Sequence, residues 1–187
     1  QVGENEAAIQ MWQAVLPLDE ALSKDASQRL ADTFEELGDY EAAIASLQAL
    51  AALQPDQARW HYQLGLLLAT QRPEDALDHL AQAAKLDSDL TIPAEEVRRA
   101  ILDSVSAEHP AVVLLNAGRA LAALGEWELA VEAFRNAVVI RPDYAEAWAY
   151  LGEASQHIDG QDRDSSPDVV LQPDGLLELE TAVALNP

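Results

Sequence analysis

Asp159, Asp162, Asp164 and Asp168 form the only dense set of hard oxygen ligands in a segment that reads as irregular, the donor type that suits calcium or magnesium. A calcium loop also needs a glycine after its ligand triplet and a bidentate glutamate at its end, and DRDSSPD supplies neither. A solvated acidic loop is the better account. Asp159, Asp162 and Asp164 stay as the metal candidates, and no cofactor is expected. His61, His79, His109 and His157 are dispersed. Asp78 and His79 are neighbours on a helix and point apart, so they form no dyad. There is no HExxH, nucleophile elbow or phosphate-cradling glycine loop. The chain is not expected to be an enzyme.

A different chemistry recurs at helical spacing. Projected on a 3.6-residue period, one stripe holds Gln28, Arg29 and Asp32, then Arg59, Tyr62, Gln63 and Leu66. It continues with Leu115, Asn116 and Arg119, and ends with Ala149, Tyr150 and Glu153. Arg and Tyr make strong binding anchors, and this chain has only nine Arg and two Lys. Arg29, Arg59, Tyr62, Gln63, Asn116, Arg119 and Tyr150 are therefore the candidates for holding a peptide. Ordinary polar positions on solvated helices are the alternative.

Composition narrows the partners. Eleven basic against thirty-three acidic residues leave a net charge of −22, which repels phosphate backbones and anionic membranes. Solubility accounts for such an excess, with attraction of a basic partner as the sharper reading. No cysteine is present, which excludes disulfides and thiolate metal sites and fits either redox compartment; the reading leans to the cytoplasm. No apolar run approaches the roughly 18 residues of a spanning helix. The start, QVGENEAAIQ, lacks the basic and apolar regions of a signal, and reads as the start of a mature or excised fragment.

The elements that carry the stripe are read from repetition. Ala and Leu dominate, aromatics are 5%, and β-branched runs are scarce, which favours helices throughout. Ala8, Ala43, Ala76 and Ala130 each open an apolar-periodic run, at intervals of 35, 33 and 54 residues. The last interval holds one period near 34 and an extra 20. Pro55 and Pro142, 87 residues apart, repeat that pattern independently, each ending a helix it cannot continue.

These marks resemble the tetratricopeptide repeat, a helix–turn–helix unit of about 34 residues with small residues at the helix crossing and Pro at the exit. The best-formed copy, 111–144, shows Leu114, Gly118, Leu121, Gly125, Ala130, Phe134, Ala137 and Pro142. Unit 24–57 has Leu30, Ala31, Phe34, Gly38, Tyr40, Ala43, Leu47 and Pro55. Unit 58–90 has Leu64, Gly65, Ala76 and Leu80, with Ser88 at the proline place and one residue missing at the turn. Unit 145–187 has Trp148, Leu151, Gly152, Leu179, Ala182 and Pro187. The resemblance implies an all-α, right-handed solenoid of about ten helices that binds proteins. In each pair, the Gly or Ala of the first helix is expected to face the small residue opening the second.

Three places depart from the pattern. Residues 4–22 look like a second helix with no first, an open face suited to stacking on other repeats or on a second copy. Residues 91–110 read as one extra unpaired helix that should bend or interrupt the superhelix, a linker being the alternative. Residues 157–174 lose helical periodicity and read as an irregular acidic loop inside the last repeat. The whole, 1–187, is read as one array. Repeat modules that hold chaperone C-terminal carboxylates use Lys, Asn and Arg on their first helices. Here those places hold Gln28 and Asp32, Gln63, and Val112 with Asn116, and an Asp repels an anion, so that ligand is not carried over. The expected function is a scaffold or adaptor that binds a protein or peptide segment along its inner face. The alternatives are a spacer or self-association module, or a non-catalytic part of a larger enzyme.

Overall fold

A computed structural model describes residues 2–16, 20–106, 109–163 and 175–185. Among them the secondary structure is helical throughout, with ten α-helices and one short 3-10 turn at Ser88–Leu90. In chain order the helices are α1 Val2–Val15, α2 Glu20–Glu36, α3 Tyr40–Leu53, α4 Ala58–Gln71 and α5 Pro73–Leu86. They continue with α6 Thr91–Ser104, α7 Pro110–Ala123, α8 Trp127–Ile140, α9 Ala145–Arg163 and α10 Gly175–Leu185. Each packs on its neighbours in sequence, so the all-α array expected from the repeats is the fold.

Local sequence explains the turns. Gly38 and Gly125 have φ of 70° and 86°, the left-handed region that other residues enter at a cost of about 1 kcal/mol. Around each, two backbone bonds close the helix end. Gly38 N–H donates to the Glu35 carbonyl at 3.0 Å and Asp39 N–H to that of Phe34 at 2.8 Å. Gly125 N–H donates to the Ala122 carbonyl and Glu126 N–H to that of Leu121, both at 3.0 Å. This is the Schellman arrangement, which satisfies carbonyls a helix would otherwise leave open. Asp39 then caps α3 by accepting from Ala42 N–H at 3.2 Å. The shorter turn after α4 has no glycine, and Pro73 instead starts α5, where its missing N–H is harmless.

Between repeats, tryptophans tie the exit turns after α3 and α8 to the next helix. Trp60 Nε1 donates to Gln54 Oε1 at 2.6 Å, and Trp148 Nε1 donates to the Pro142 carbonyl at 2.9 Å. The continuous core runs through Leu47, Leu64, Leu80, Leu121 and Phe134, all buried. Full burial of each such side chain is worth about 1.5–3 kcal/mol. The mid-helix glycines approach a different neighbour from the one expected. A Cβ on Gly65 would lie 2.7 Å from Leu80 Cδ2, and one on Gly118 would lie 2.6 Å from Phe134 Cε1. The contact is with the bulky residue one turn beyond Ala76 or Ala130, because the second helix presents that larger side chain to the crossing point.

The unpaired α6 decides the overall arrangement. Successive helices joined by short turns run antiparallel, so one extra helix reverses the direction of everything after it. α7 therefore runs opposite to α4, and α8 runs alongside α4 and packs against it. Three observations place the ends accordingly. The α4–α5 turn at Gln71–Asp75 shares a cleft with the start of α7 and the end of α8. Asn136 of α8 donates through Nδ2 to the Thr70 carbonyl at 3.0 Å, near the end of α4. Glu126, in the α7–α8 turn, acts electrostatically on Tyr62, near the start of α4. Asn136→Ala is expected to lower stability by about 1 kcal/mol, the value of one such bond, in urea melts of native and variant chains. An unchanged midpoint would show that apolar packing alone holds α8 on α4.

The stretch read as a loop from residue 157 is helical at its start, since α9 runs on to Arg163. Asp159 and Asp162 thus stand on a helix, while Asp164 and Asp168 lie outside the described residues.

Candidate functional site

The residues nominated from the sequence fall into three places. Arg29, on α2, is turned toward α1: it pairs with Asp25 at 3.2 Å, and its guanidinium lies 5.1 Å from the Trp12 ring. Arg59, Tyr62 and Gln63 stand on the first half of α4. Arg59 lies 4.9 Å from the Trp60 ring, and Gln63 buries its Oε1 with no hydrogen-bond partner. Tyr62 is half-buried, and burial, then Glu126 and Glu96, push its hydroxyl above the usual tyrosine value.

Arg119 joins Tyr150 where α7 meets α9, and joins Asn116 where α7 meets α6. Arg119 is exposed and holds its guanidinium 5.2 Å from the Tyr150 ring. Tyr150 in turn stacks on Phe134 with centroids 5.6 Å apart. On one side of Arg119 is a hollow of about 270 Å³ lined by Trp127, Phe134, Tyr150 and Glu153. On the other is a hollow of about 410 Å³ between Ala100 and Asp103 of α6 and Asn116 and Ala120 of α7. Arg119 lines both. An apolar side chain fits the aromatic hollow, while the guanidinium and the Asn116 amide offer donors to a carboxylate or a peptide carbonyl.

Charge sharpens the point. Arg29, Arg72, Arg98, Arg135 and Arg141 each have a carboxylate within ion-pairing distance. Among the described residues Arg59, Arg99 and Arg119 have none, and Arg59 and Arg119 lie against aromatic rings instead. In a chain of charge −22, arginines without a carboxylate partner are a selection.

Around the start of α4 lies a group of carboxylates. Burial, then Asp32 and Glu126, raise the Glu35 carboxyl to about 7 against the opposing pull of Arg59. Glu126 is raised as well, by burial and by Glu128. These carboxylates come from α2 and from the α7–α8 turn, far apart in sequence and brought together by the reversal at α6.

Of the histidines, dispersed in sequence, His157 packs on a tryptophan and His61 and His79 form a pair. His157 stacks on Trp127 with centroids 3.9 Å apart, which backs the aromatic hollow. His61 and His79 face each other with Nδ1 atoms 3.1 Å apart, and His61 Nε2 lies 3.0 Å from the Pro55 carbonyl. That carbonyl can only accept, so His61 Nε2 carries a proton, and when both rings are neutral His61 Nδ1 accepts from His79 Nδ1. The separation suits a shared proton; a metal midway between two imidazole nitrogens needs about 4 Å. Burial first, then His61, hold the His79 imidazole below its usual value. The sequence signal for this pair was faint, since its members are 18 residues apart, on the consecutive helices α4 and α5.

Among the described residues no group of three or more His, Asp or Glu side chains is placed to hold a metal ion, and no helix is long and apolar enough to cross a membrane.

Comparison with known proteins adds a family. No curated protein matches the chain. Similar solved structures include a crystal structure of MamA, 21% identical, covering 98% of this chain and 89% of that one with a TM-score of 0.42. They include YrrB, titled a TPR protein with an unusual peptide-binding site, at 18% identity, 100% and 80% coverage and a TM-score of 0.40. The TPR domain of P58(IPK) is similar at 18% identity, 98% and 60% coverage and a TM-score of 0.36. The family model of the TPR repeat matches residues 31–71 and 118–156, stretches that run from α2 into α4 and from α7 into α9. With those matches on the helix pairs and glycine turns already described, both stretches are tetratricopeptide repeats.

Proposed function

We propose that this chain is an interaction scaffold, non-catalytic, that holds an extended segment of a partner protein across α6, α7 and α9. Arg119 carries the reading: it has no carboxylate partner among the described residues, is braced on Tyr150, and stands between two hollows. A side chain of the segment fills the hollow under Trp127 and Tyr150. Arg119 takes a carboxylate or a backbone carbonyl, and Asn116 hydrogen-bonds the peptide backbone. Arg59 and Tyr62 extend the surface past Glu126. The unbroken packing of consecutive helices supports treating 1–187 as one array.

Peptides selected from a displayed random library on the native chain test this. Arg119→Ala is expected to weaken them at least tenfold, since anchors of this type contribute about 2 kcal/mol or more. Thermal stability should stay nearly unchanged because Arg119 is exposed. Selected ligands that bind the variant as well as the native chain would move the site elsewhere. A second reading, self-association, draws on apolar side chains exposed on the end helices: Met11 of α1 is 57% exposed, and Leu177 and Val183 of α10 are 69% and 67%. Sedimentation of the native chain separates the two, since a strict monomer counts against stacking.

A further inference from the structure

The reversal at α6 creates a second concavity, away from Arg119 at the other end of α7. It is a cleft of about 460 Å³ between the α4–α5 turn, the end of α6, the start of α7 and the end of α8. The volume is in the range of sites that bury most of a bound group, about 300–1,000 Å³. Its floor is apolar, made by Val105, Val113, Leu114 and Ile140. Val113 and Leu114 belong to the core, but Val105 is 42% exposed and Ile140 47%. These are large apolar side chains left against water inside one hollow, where an apolar group from outside would release that water.

The rim has one dominant sign. Glu74 and Asp75, in the first turn of α5, border the cleft, and Glu41 stands close by. Arg72, the one cation among the described residues that line the cleft, is shared at long range, 3.8 Å from Glu41 and 3.9 Å from Asp75. Exposed pairs of that length hold little. An apolar floor under a net acidic rim fits a segment that presents an aliphatic or aromatic side chain flanked by Lys or Arg. The chain's charge of −22 draws the same kind of partner from a distance.

We infer that this cleft is a second docking site, which takes a basic amphipathic segment of a partner protein with its apolar side chain between Val105 and Ile140. The inference stands independently of the surface around Arg119. It also depends on α6: without the extra helix the α4–α5 turn and the start of α7 would lie at opposite edges, and the cleft would not exist.

The test titrates the native chain with a short Leu/Lys amphipathic peptide, with a Leu/Glu peptide of the same pattern, and with a Gly/Lys peptide of the same charge. The Leu/Lys peptide is expected to bind at least tenfold more tightly than either control. Ile140→Ser and Val105→Ser, both at exposed positions that should leave the fold intact by circular dichroism, are each expected to weaken it at least fivefold. Charge reversal by Glu74→Lys with Asp75→Lys should weaken it at least tenfold, while Arg119→Ala should not. Equal binding of the Gly/Lys peptide would overturn the apolar floor, and equal binding of the Leu/Glu peptide would overturn the acidic rim. Unchanged affinity in both serine variants, or equal loss in Arg119→Ala, would overturn the location.

Discussion

Alanine in place of Gly118 is expected to destabilise the chain by about 1–3 kcal/mol, the usual range for one methyl forced into a filled core. Helix propensity works in the opposite direction, because alanine is better than glycine in a helix interior by up to about 1 kcal/mol. Sterics should win. The new Cβ would lie 2.6 Å from Phe134 Cε1 and 2.8 Å from Cδ1, and Phe134 is 1% exposed, with Tyr150 stacked on its ring. The ring has no free volume to enter, so α7 and α8 must separate. Urea denaturation measures the loss, and a double-mutant cycle identifies its cause. In a Phe134→Leu background the smaller side chain leaves room, and the Gly118→Ala penalty should shrink or change sign. Gly118→Ala as stable as the native chain would mean that the two helices yield without cost. At Gly65 the same change meets Leu80, fully buried, at Cδ2, Cγ and the backbone nitrogen, and a comparable loss is expected there.

Glu35→Gln is expected to stabilise the chain above about pH 7 and to do nothing near pH 4. The Glu35 carboxyl sits at about 7 in the folded chain against an ordinary value of 4.5. The folded state therefore binds this proton more tightly than the unfolded state does. Its contribution to stability is greatest below about pH 4.5, falls as pH rises to about 7, and is flat beyond. The full shift corresponds to roughly 3 kcal/mol, but Glu35 is only partly buried, and solvent screening reduces the expected gain from Gln to about 1–2 kcal/mol at pH 8. The quantity to follow is the difference between variant and native melts across pH 4–8. That difference cancels groups common to both, including His79, whose lowered value removes stability as pH falls below about 6.5. A pH-independent difference would show that Glu35 is neither buried nor facing Asp32 and Glu126 in the folded chain.

Much of the fold was legible because its causes are local. The spacing of Ala43, Ala76 and Ala130, the glycines at 38 and 125 and the prolines at 55 and 142 report helix faces and turn conformations. Both depend on a few consecutive residues. The partner of each mid-helix glycine was misread, because the choice between Ala130 and Phe134 as its neighbour depends on how two helices are rotated about their axes. The spacing within either helix does not contain that rotation. The end of α9 was misread for a related reason: Gly160 and several Asp weaken helix propensity, yet α9 packs against both α8 and α10 and continues to Arg163.

The candidate site was legible in part. Asn116, Arg119 and Tyr150 were nominated as members of one stripe, and they do line neighbouring hollows. Trp127, Phe134 and His157, which shape the aromatic hollow, were not nominated, since their turn and second-helix positions read as packing. Taken alone, then, the sequence determines the repeat unit, its glycine turns, its small crossing residues and the existence of an odd helix at Thr91. Tertiary structure decided what that odd helix does. By reversing the direction of α7 and α8 it lays α8 on α4, sets Glu126 near Glu35, gathers the Arg119 surface and opens the cleft at Ile140. Periodicity records which face of a helix is apolar but not which way the helix points relative to one three helices earlier, and that relation exists only once the helices pack.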